Sequence, residues 1–266
     1  MVPRLYVPSL SRGDRFLSLP ADEAEHLARV LRVAAGAAVR VFDGRGYECD
    51  ARVSAVVRHA VTVEIGRPVL PAAECRVRVA LAQAVLKGDK MDDVVRDAVM
   101  MGVAAVQPLL TARTDVPPAA FTRGGRVERW HRIAVSSAKQ CGRAVVPEID
   151  TPVSLAACLD ADRSEVRVLL VEPSAAAFQP AASSLPQRVT SAIVLIGPEG
   201  GWAAEEVSAA VTAGCAAITL GARTLRADAT PLVALSVLQY FWGDIPQFGI
   251  RDSGLGIRDS GFGIRD

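Results

Sequence analysis

The chain has 266 residues, with 30 basic and 29 acidic side chains, 50% hydrophobic residues and 5% aromatic residues. This balance is typical of a globular protein, and the length favours two domains. No apolar run reaches the ~18 residues that span a bilayer, and the N-terminus lacks the charged and then apolar order of a signal peptide, so we expect a cytoplasmic protein. The five cysteines are accompanied by neither a Cys-x-x-Cys motif nor a histidine cluster. We therefore expect neither a disulfide framework nor a bound metal.

Residues 1–67 are predicted to form a small β barrel. Their apolar and polar residues alternate, as in strands with one buried face, in the segments RLYV, AVRVFDG, YECDARVSAVV and VTVEIG. One short helix interrupts these strands, and the pair Asp22 and Glu25 predicts a capping box at its start.

This helix is predicted to have two distinct faces. Leu27 and Leu31 would face the core, whereas His26, Arg29 and Arg32 fall on the other face at helical spacing. A basic helix face on a small barrel would suit RNA contact. A histidine beside two arginines is also common on an ordinary solvated surface.

The segment 68–74, PVLPAAE, is typical of a linker, and a second domain is predicted over 75–246. Within it, Asp89 is predicted to cap the helix DKMDDVVRDAVMM, which Gly102 would end. Compact apolar runs predict strands at VRVALAQ, VAAVQPLL, VRVLLVEP, TSAIVLIG and AAITLG. Their alternation with helices favours a mainly parallel α/β sheet.

A basic stripe marks the middle of this near-neutral chain. Residues 113–143 carry seven basic side chains against two acidic ones. Arg126, Arg129 and Arg132 recur every three residues along the amphipathic helix RVERWHRIAVSSAKQCG. The stripe indicates contact with a polyanion, with a solvated helix face as the alternative.

The most specific local signal is the loop Gly197-Pro198-Glu199-Gly200-Gly201, between a predicted buried strand and a helix. Three glycines let the backbone approach a ligand closely, and open α/β sheets bind ligands at the carboxyl ends of their strands. A plain strand-to-helix turn, the alternative, seldom needs three glycines. Glu199 adds a carboxylate that a ligand can contact.

A second loop, 220–230, is predicted to reach the same sheet edge. Thr230 as N-cap with Pro231 at the first helical position gives the next helix a clear start. Arg223, Arg226 and Asp228 have no evident structural role in this loop, so we expect them beside the glycine loop. No dinucleotide fingerprint, P-loop or nucleophile elbow is present in the sequence.

These motifs in this order resemble those of SPOUT-superfamily methyltransferases that modify a uridine at N3 in 16S ribosomal RNA. The resemblance rests on Ile196 to Gly201, Leu220-Gly221 and Leu225-Arg226 with an acid two residues on, and it extends over roughly the first 243 residues. PRLYV, the stretch around His26 and VFDGRGYE resemble that family's PUA-like RNA-binding domain.

The resemblance implies a C-terminal parallel sheet threaded into a deep trefoil knot, with S-adenosylmethionine bound in the knot loops. It also implies a homodimer that acts on 16S rRNA or the small ribosomal subunit, with Arg226 near the site of methyl transfer. The residues implied for the cofactor pocket are Val171, Ile196, Gly197, Pro198, Glu199, Gly200, Gly201, Leu220, Gly221, Leu225, Arg226, Asp228 and Thr230. The residues expected to contact RNA are His26, Arg29, Arg32, Arg129 and Arg132.

One motif departs from the family pattern. Where the family has Leu-Arg-x-Glu-Thr-Ala, this chain has Asp228, Ala229 and Thr230 in the last three positions. Two alternatives therefore stay open: an inactive RNA-binding assembly factor, or a SPOUT enzyme that acts on another RNA position, such as a ribose hydroxyl in transfer RNA. The segment 249–266 repeats every seven residues, is of low complexity, and is expected to be a disordered extension.

Overall fold

The computed structural model describes residues 2–31, 33–57, 60–117, 121, 125–173 and 185–245. The predictions for Arg32 and for the repeated tail at 249–266 lie outside these residues. The N-terminal part contains the strands β1 (Arg4–Tyr6), β2 (Phe16–Ser18), β3 (Ala38–Phe42), β4 (Glu48–Val57) and β5 (Ala60–Val69), and the helix α1 (Ala21–Glu25), which continues as a π-helical turn (His26–Val30).

The N-terminal strands form one five-stranded sheet in the order β1-β3-β4-β5-β2. The β1–β3 pair is parallel and the other pairs are antiparallel. Alternate residues such as Leu5, Val41, Val53 and Val63 form the core beneath it, as the alternating pattern predicted. The sequence did not reveal β2, because its three residues are largely exposed and carry little pattern.

The predicted capping box at Asp22 is wrong. The helix has Pro20 at its N-cap without a side-chain hydrogen bond, and Asp22 lies in the first turn. The chain then widens into a π-helical turn, in which the Leu31 amide donates to the His26 carbonyl at 3.1 Å. This i to i+5 bond breaks the α-helical period, so Leu27 is buried but Leu31 is 42% exposed, contrary to prediction.

The segment predicted as a linker is partly ordered sheet. Strand β5 extends to Val69, and Pro68 pairs with Cys49 of β4. Further on, the Glu74 carboxylate accepts hydrogen bonds from Arg143, whose side chain is buried. The linker prediction is therefore wrong for its first two residues.

The C-terminal part is a parallel α/β structure, as predicted. Its sheet order is β12-β10-β11-β6-β7-β8, with β9 also beside β7, and every pair is parallel. The strands are β6 (Arg78–Ala84), β7 (Ala105–Leu110), β8 (Glu148–Ile149), β9 (Val153–Ser154), β10 (Val166–Leu170), β11 (Ser191–Ile196) and β12 (Ala216–Ile218). The helices are α2 (Lys90–Met100), α3 (Arg126–Cys141), α4 (Leu155–Ala161), α5 (Ala204–Thr212) and α6 (Thr230–Phe241).

Helices cover both faces of this sheet, which explains its continuous apolar strands. Along β11, Val194 packs in the core with α2, α3 and α6, whereas Leu195 packs in the core with α4 and α5. Among the residues that the structure describes, no helix is long and apolar enough to cross a membrane.

Two predicted helix starts need adjustment. Asp89 stands at the N-cap of α2 as predicted, but its side chain makes no capping hydrogen bond. The N-cap of α6 is Ala229 rather than Thr230. The Thr230 hydroxyl instead donates to the Arg226 carbonyl at 2.8 Å, which ties the helix start to the loop before it. Gly102 follows α2 with φ of 78°, as expected of a glycine that ends a helix.

Candidate active site

The two loops singled out in the sequence enclose one cavity at the carboxyl ends of the parallel strands. Its volume is about 580 Å³, within the usual range for small-molecule sites. Eleven of the thirteen predicted pocket residues line it: Val171, Ile196, Gly197, Pro198, Glu199, Gly201, Leu220, Leu225, Arg226, Asp228 and Thr230. Gly200 and Gly221 do not belong to its wall.

The glycine loop packs closely against an indole ring. A Cβ atom at Gly197 would lie 3.2 Å from the Nε1 of Trp202. That Nε1 donates to the Leu170 carbonyl at 2.9 Å, which fixes the ring between the ends of β10 and β11. Gly201 has φ of 68°, and a Cβ atom there would lie 3.0 Å from Oε1 of Glu172. Glycine at these two positions therefore follows from close approach and, at Gly201, from backbone conformation.

Gly200 packs against Arg113, a residue that the sequence did not indicate as part of the site. Arg113, after β7, donates from Nη1 to the Gly200 carbonyl at 2.8 Å. A Cβ atom at Gly200 would lie 3.2 Å from the Cβ of Arg113. Arg113 therefore lines the cavity and also holds the glycine loop through its hydrogen bond to the Gly200 carbonyl.

Glu199 is bound by protein groups at the start of α2. Its Oε1 accepts a hydrogen bond from Lys90 Nζ at 2.7 Å and one from the Lys87 amide at 3.3 Å. Burial on its own would raise the pKa of Glu199, but these donors and its own backbone amide hold the pKa below the ordinary value. The carboxylate is therefore ionised at neutral pH and ties the glycine loop to α2.

Arg226 and Asp228 form a two-pronged ion pair on the second loop. Arg226 donates from Nε to Oδ1 of Asp228 at 3.0 Å and from Nη2 to Oδ2 at 2.8 Å. The guanidinium is 76% exposed, whereas the carboxylate is 23% exposed. The hydrogen bonds from Arg226 lower the pKa of Asp228 despite its partial burial. Asp228 therefore holds Arg226 at the edge of the cavity, and most of the guanidinium stays exposed.

Several wall residues were not among those predicted from the sequence: Lys90, Arg113, Leu170, Trp202, Val207 and Thr224. Lys90 and Arg113 follow β6 and β7, and the carboxyl ends of parallel strands meet at one sheet edge. That rule was the available signal for both. In the described part of the chain, no group of three or more His, Cys, Asp or Glu could hold a metal ion.

Of the residues predicted to contact RNA, the four that the structure describes lie on two helices. His26 and Arg29 are exposed on the π-helical turn, and Arg29 pairs with Glu25 at 2.5 Å. On α3, Arg132 is exposed, whereas Arg129 forms ion pairs with Asp89 and Asp92 of α2.

Two family models match the chain in the order of its two parts. An RNA methyltransferase PUA domain matches residues 19–66, and an RNA methyltransferase domain matches residues 73–239. The chain is 31% identical over 242 residues to the ribosomal RNA small subunit methyltransferase E of Synechocystis sp., covering 89% of this chain and 77% of the relative. It is 28% identical over 229 residues to the protein of the same name from Bacillus subtilis, covering 84% and 89%.

Solved structures agree with these relatives. A putative methyltransferase from Legionella pneumophila, solved with the cofactor SAM bound, superposes with a TM-score of 0.85 at 29% identity, covering 92% of this chain and 100% of that one. A ribosomal RNA small subunit methyltransferase E from Neisseria gonorrhoeae bound to S-adenosyl methionine gives 0.83 at 31% identity, with the same coverage. The SPOUT-like parallel sheet, the PUA-like domain and these relatives together show that the chain belongs to the RNA methyltransferase family that contains ribosomal RNA small subunit methyltransferase E.

Proposed function

We propose that the chain transfers a methyl group from S-adenosylmethionine to N3 of one uridine in 16S ribosomal RNA of the small subunit. The observation that carries this proposal is the single cavity that the glycine loop and the loop before α6 form together. The family shown above supplies the reaction class, and the family resemblance supplies the uridine N3 atom.

The cavity wall suits the proposed cofactor. Apolar side chains such as Val171, Ile196 and Leu225 can cover an adenine ring, and loop backbone and charged groups can meet the polar ends of the ligand. The absence of side chains at Gly197 and Gly201 keeps the wall open where a Cβ atom would crowd Trp202 or Glu172. When bound, the cofactor supplies an electrophilic methyl group on a sulfonium.

The residues of the chain then have to orient the uracil and favour its anion. N3 must lose its proton, which passes to water, before it attacks the methyl group, and a nearby cation stabilises the negative charge that develops on the ring. Arg226 is the cavity residue that Asp228 presents for this purpose. Asp228 and Glu199 are poor proton acceptors, because their cationic partners lower the pKa of both carboxyls. We therefore assign them to positioning rather than to proton transfer.

RNA binding is assigned to the N-terminal domain and to α3. N3 lies on the pairing edge of uracil, so the target must be unpaired or extruded, and basic side chains can hold the backbone around it. We propose His26, Arg29, Arg32, Arg129 and Arg132 for these contacts. A ribosomal RNA substrate would place the reaction in the cytoplasm.

The finer architecture is part of the same proposal. We propose that the sheet of the C-terminal domain is threaded into a trefoil knot, that the N-terminal sheet closes into a barrel, and that the domains span 1–67 and 75–246. We also propose a homodimer. Helix α6 supports it by exposing a row of apolar side chains: Leu232, Val233, Tyr240 and Phe241.

The proposal is tested by incubating the chain with small-subunit RNA and methyl-labelled S-adenosylmethionine and then identifying the labelled nucleoside. We expect N3-methyluridine at a single position. Label on a ribose hydroxyl would favour a different RNA target, and cofactor binding without transfer to any RNA would favour a non-catalytic role.

A further inference from the structure

The two parts of the chain meet in a junction of buried charges at the end of α3. Arg4 of β1 donates from Nη1 to the carbonyls of Ala138 at 2.7 Å and Lys139 at 3.0 Å. Its Nε and Nη2 donate to the two oxygens of Glu48 at 3.0 and 2.7 Å, and the Glu48 side chain is 1% exposed. The last carbonyls of a helix have no partner within that helix, so Arg4 provides one from the other domain.

A second buried pair lies beside the first. Lys139 of α3 donates from Nζ to both oxygens of Glu23 of α1 at 2.8 and 2.7 Å. The Glu23 side chain is 5% exposed, and it also accepts the Tyr6 amide at 3.2 Å. Removing one partner of the Lys139–Glu23 pair leaves a charge uncompensated, so this pair holds the two domains together, whereas the Arg4–Glu48 pair fixes the Arg4 side chain that contacts α3.

Backbone hydrogen bonds complete the junction. The Gly46 amide donates to the Ala144 carbonyl at 3.1 Å, and the Val146 amide donates to the Gly44 carbonyl at 2.9 Å. Because hydrogen bonds are directional, the side-chain and backbone hydrogen bonds of the junction hold the two domains together and also fix their relative orientation.

The other end of α3 contacts the start of α2, beside the cavity residue Lys90. Arg129 forms ion pairs with Asp89 and Asp92 at the start of α2. Lys90 lies between these two aspartates in the sequence and lines the cavity. From Arg129 to Lys139 the helix advances ten residues, about 15 Å. One continuous helix therefore contacts the N-terminal domain at one end and, at the other, the start of α2, which carries the cavity residue Lys90.

We propose that α3 sets the distance between the RNA-holding domain and the methyl-transfer cavity, and that Arg4, Glu48, Glu23 and Lys139 are positioning residues that select the target uridine. This inference rests on the proposed function. RNA held by the N-terminal domain then presents to the cavity only the nucleotide at that fixed distance. If the junction loosens, RNA still binds, but neighbouring uridines compete for the cavity.

The test uses Glu23→Gln and Lys139→Gln. Glu23→Gln is the milder change, because the Lys139 that it leaves unpaired is partly exposed, whereas Lys139→Gln leaves the buried Glu23 without its cation. Lys139→Arg keeps the charge and serves as the rescue variant. Asp50→Asn is the matched control: it removes a carboxylate from the exposed Arg40–Asp50 pair of the same domain, and both partners of that pair lie within the domain. For each variant we would measure hydrogen exchange at the Gly46 and Val146 amides, RNA affinity, turnover at saturating RNA and the positions methylated.

We expect both glutamine variants to exchange these amides faster, to bind RNA as before, to turn over roughly 10- to 100-fold more slowly and to methylate additional uridines. Lys139→Arg and Asp50→Asn should behave like the wild type. The proposal would be overturned if the glutamine variants exchanged these amides faster but still methylated only the wild-type position. It would also be overturned if the exchange rates of these amides did not change. If the wild type transfers no methyl group to RNA, the proposed function fails, and the exchange data alone then decide whether the domains are held rigidly.

Discussion

Lys90 Nζ lies 2.7 Å from Oε1 of Glu199, and this ion pair joins the first residue of α2 to the glycine loop on the cavity wall. The two residues are 109 positions apart in the chain. The pair is therefore a tertiary contact that fixes the shape of the loop before any ligand arrives.

Glu199→Gln should weaken binding of S-adenosylhomocysteine by roughly three- to tenfold, because a half-exposed ion pair contributes about 1 kcal/mol to holding the loop. Calorimetry measures this affinity. Asp115→Asn is the matched control, since it breaks the more exposed Lys87–Asp115 pair, whose residues do not line the cavity. Equal affinities for Glu199→Gln and wild type would show that the pair does not support the site.

The same pair predicts a pH dependence. The pKa of Glu199 lies below its ordinary value of 4.5 in the folded chain, so its contribution to stability is complete above that value and is lost as the pH falls through the lower folded pKa. As the pH falls below 5, we expect the free energy of unfolding to decrease less in Glu199→Gln than in the wild type. Denaturant unfolding at a series of pH values measures this difference. Identical pH profiles would contradict this.

Gly201→Ala should lower cofactor affinity more than Gly200→Ala. A side chain at Gly201 is strained at φ of 68° and would crowd Glu172 at the cavity wall. The left-handed conformation costs about 1–2 kcal/mol for a non-glycine residue. Gly214→Ala is the matched control, because Gly214 has φ of 88° and open space around it, away from the cavity. Gly214→Ala should lower the melting temperature about as much as Gly201→Ala and leave cofactor affinity unchanged. Equal losses of cofactor affinity in Gly201→Ala and Gly214→Ala would refute a local effect.

Arg226→Ala should slow methyl transfer by roughly 10²-fold while cofactor affinity changes little, because Arg226 is proposed to stabilise charge that develops on the uracil. Single-turnover transfer measures this rate. Arg226→Lys keeps the charge and should recover part of it. Full activity in Arg226→Ala would remove this residue from the mechanism.

Arg132→Ala should reduce RNA affinity and lower the slope of its salt dependence by about one unit. Arg129→Ala should change the slope less, because Arg129 is already paired with Asp89 and Asp92. Arg163→Ala, on an exposed turn after α4, serves as the control. If Arg129→Ala changes the slope more than Arg132→Ala, the ion pairs of Arg129 do not persist in the complex.

The glycine loop, the loop before α6 and most strands could be predicted, because they depend on local residue patterns. Gly197 to Gly201 stand at the end of an apolar strand, and that position together with three glycines indicates a ligand loop. Arg113 was not predicted: its position after a parallel strand was the available signal, but its contact with Gly200 joins residues 87 positions apart. The π-helical turn also escaped prediction, since Leu31 fits an α-helical period that the backbone does not keep.

No pattern in the sequence indicated the junction between the two domains at the end of α3. Glu23 and Glu48 are carboxylates in a domain with many exposed charges, and no periodicity distinguishes buried ones from solvated ones. Only their partners, Arg4 and Lys139, explain why these charges are tolerated inside the protein.

A crystal structure of the protein soaked with S-adenosylhomocysteine would show whether the two loops form one cofactor site. We expect the ligand inside the cavity, in contact with both the Gly197–Gly201 loop and the Leu225–Thr230 segment. A ligand bound elsewhere, or in contact with only one of the two loops, would contradict it.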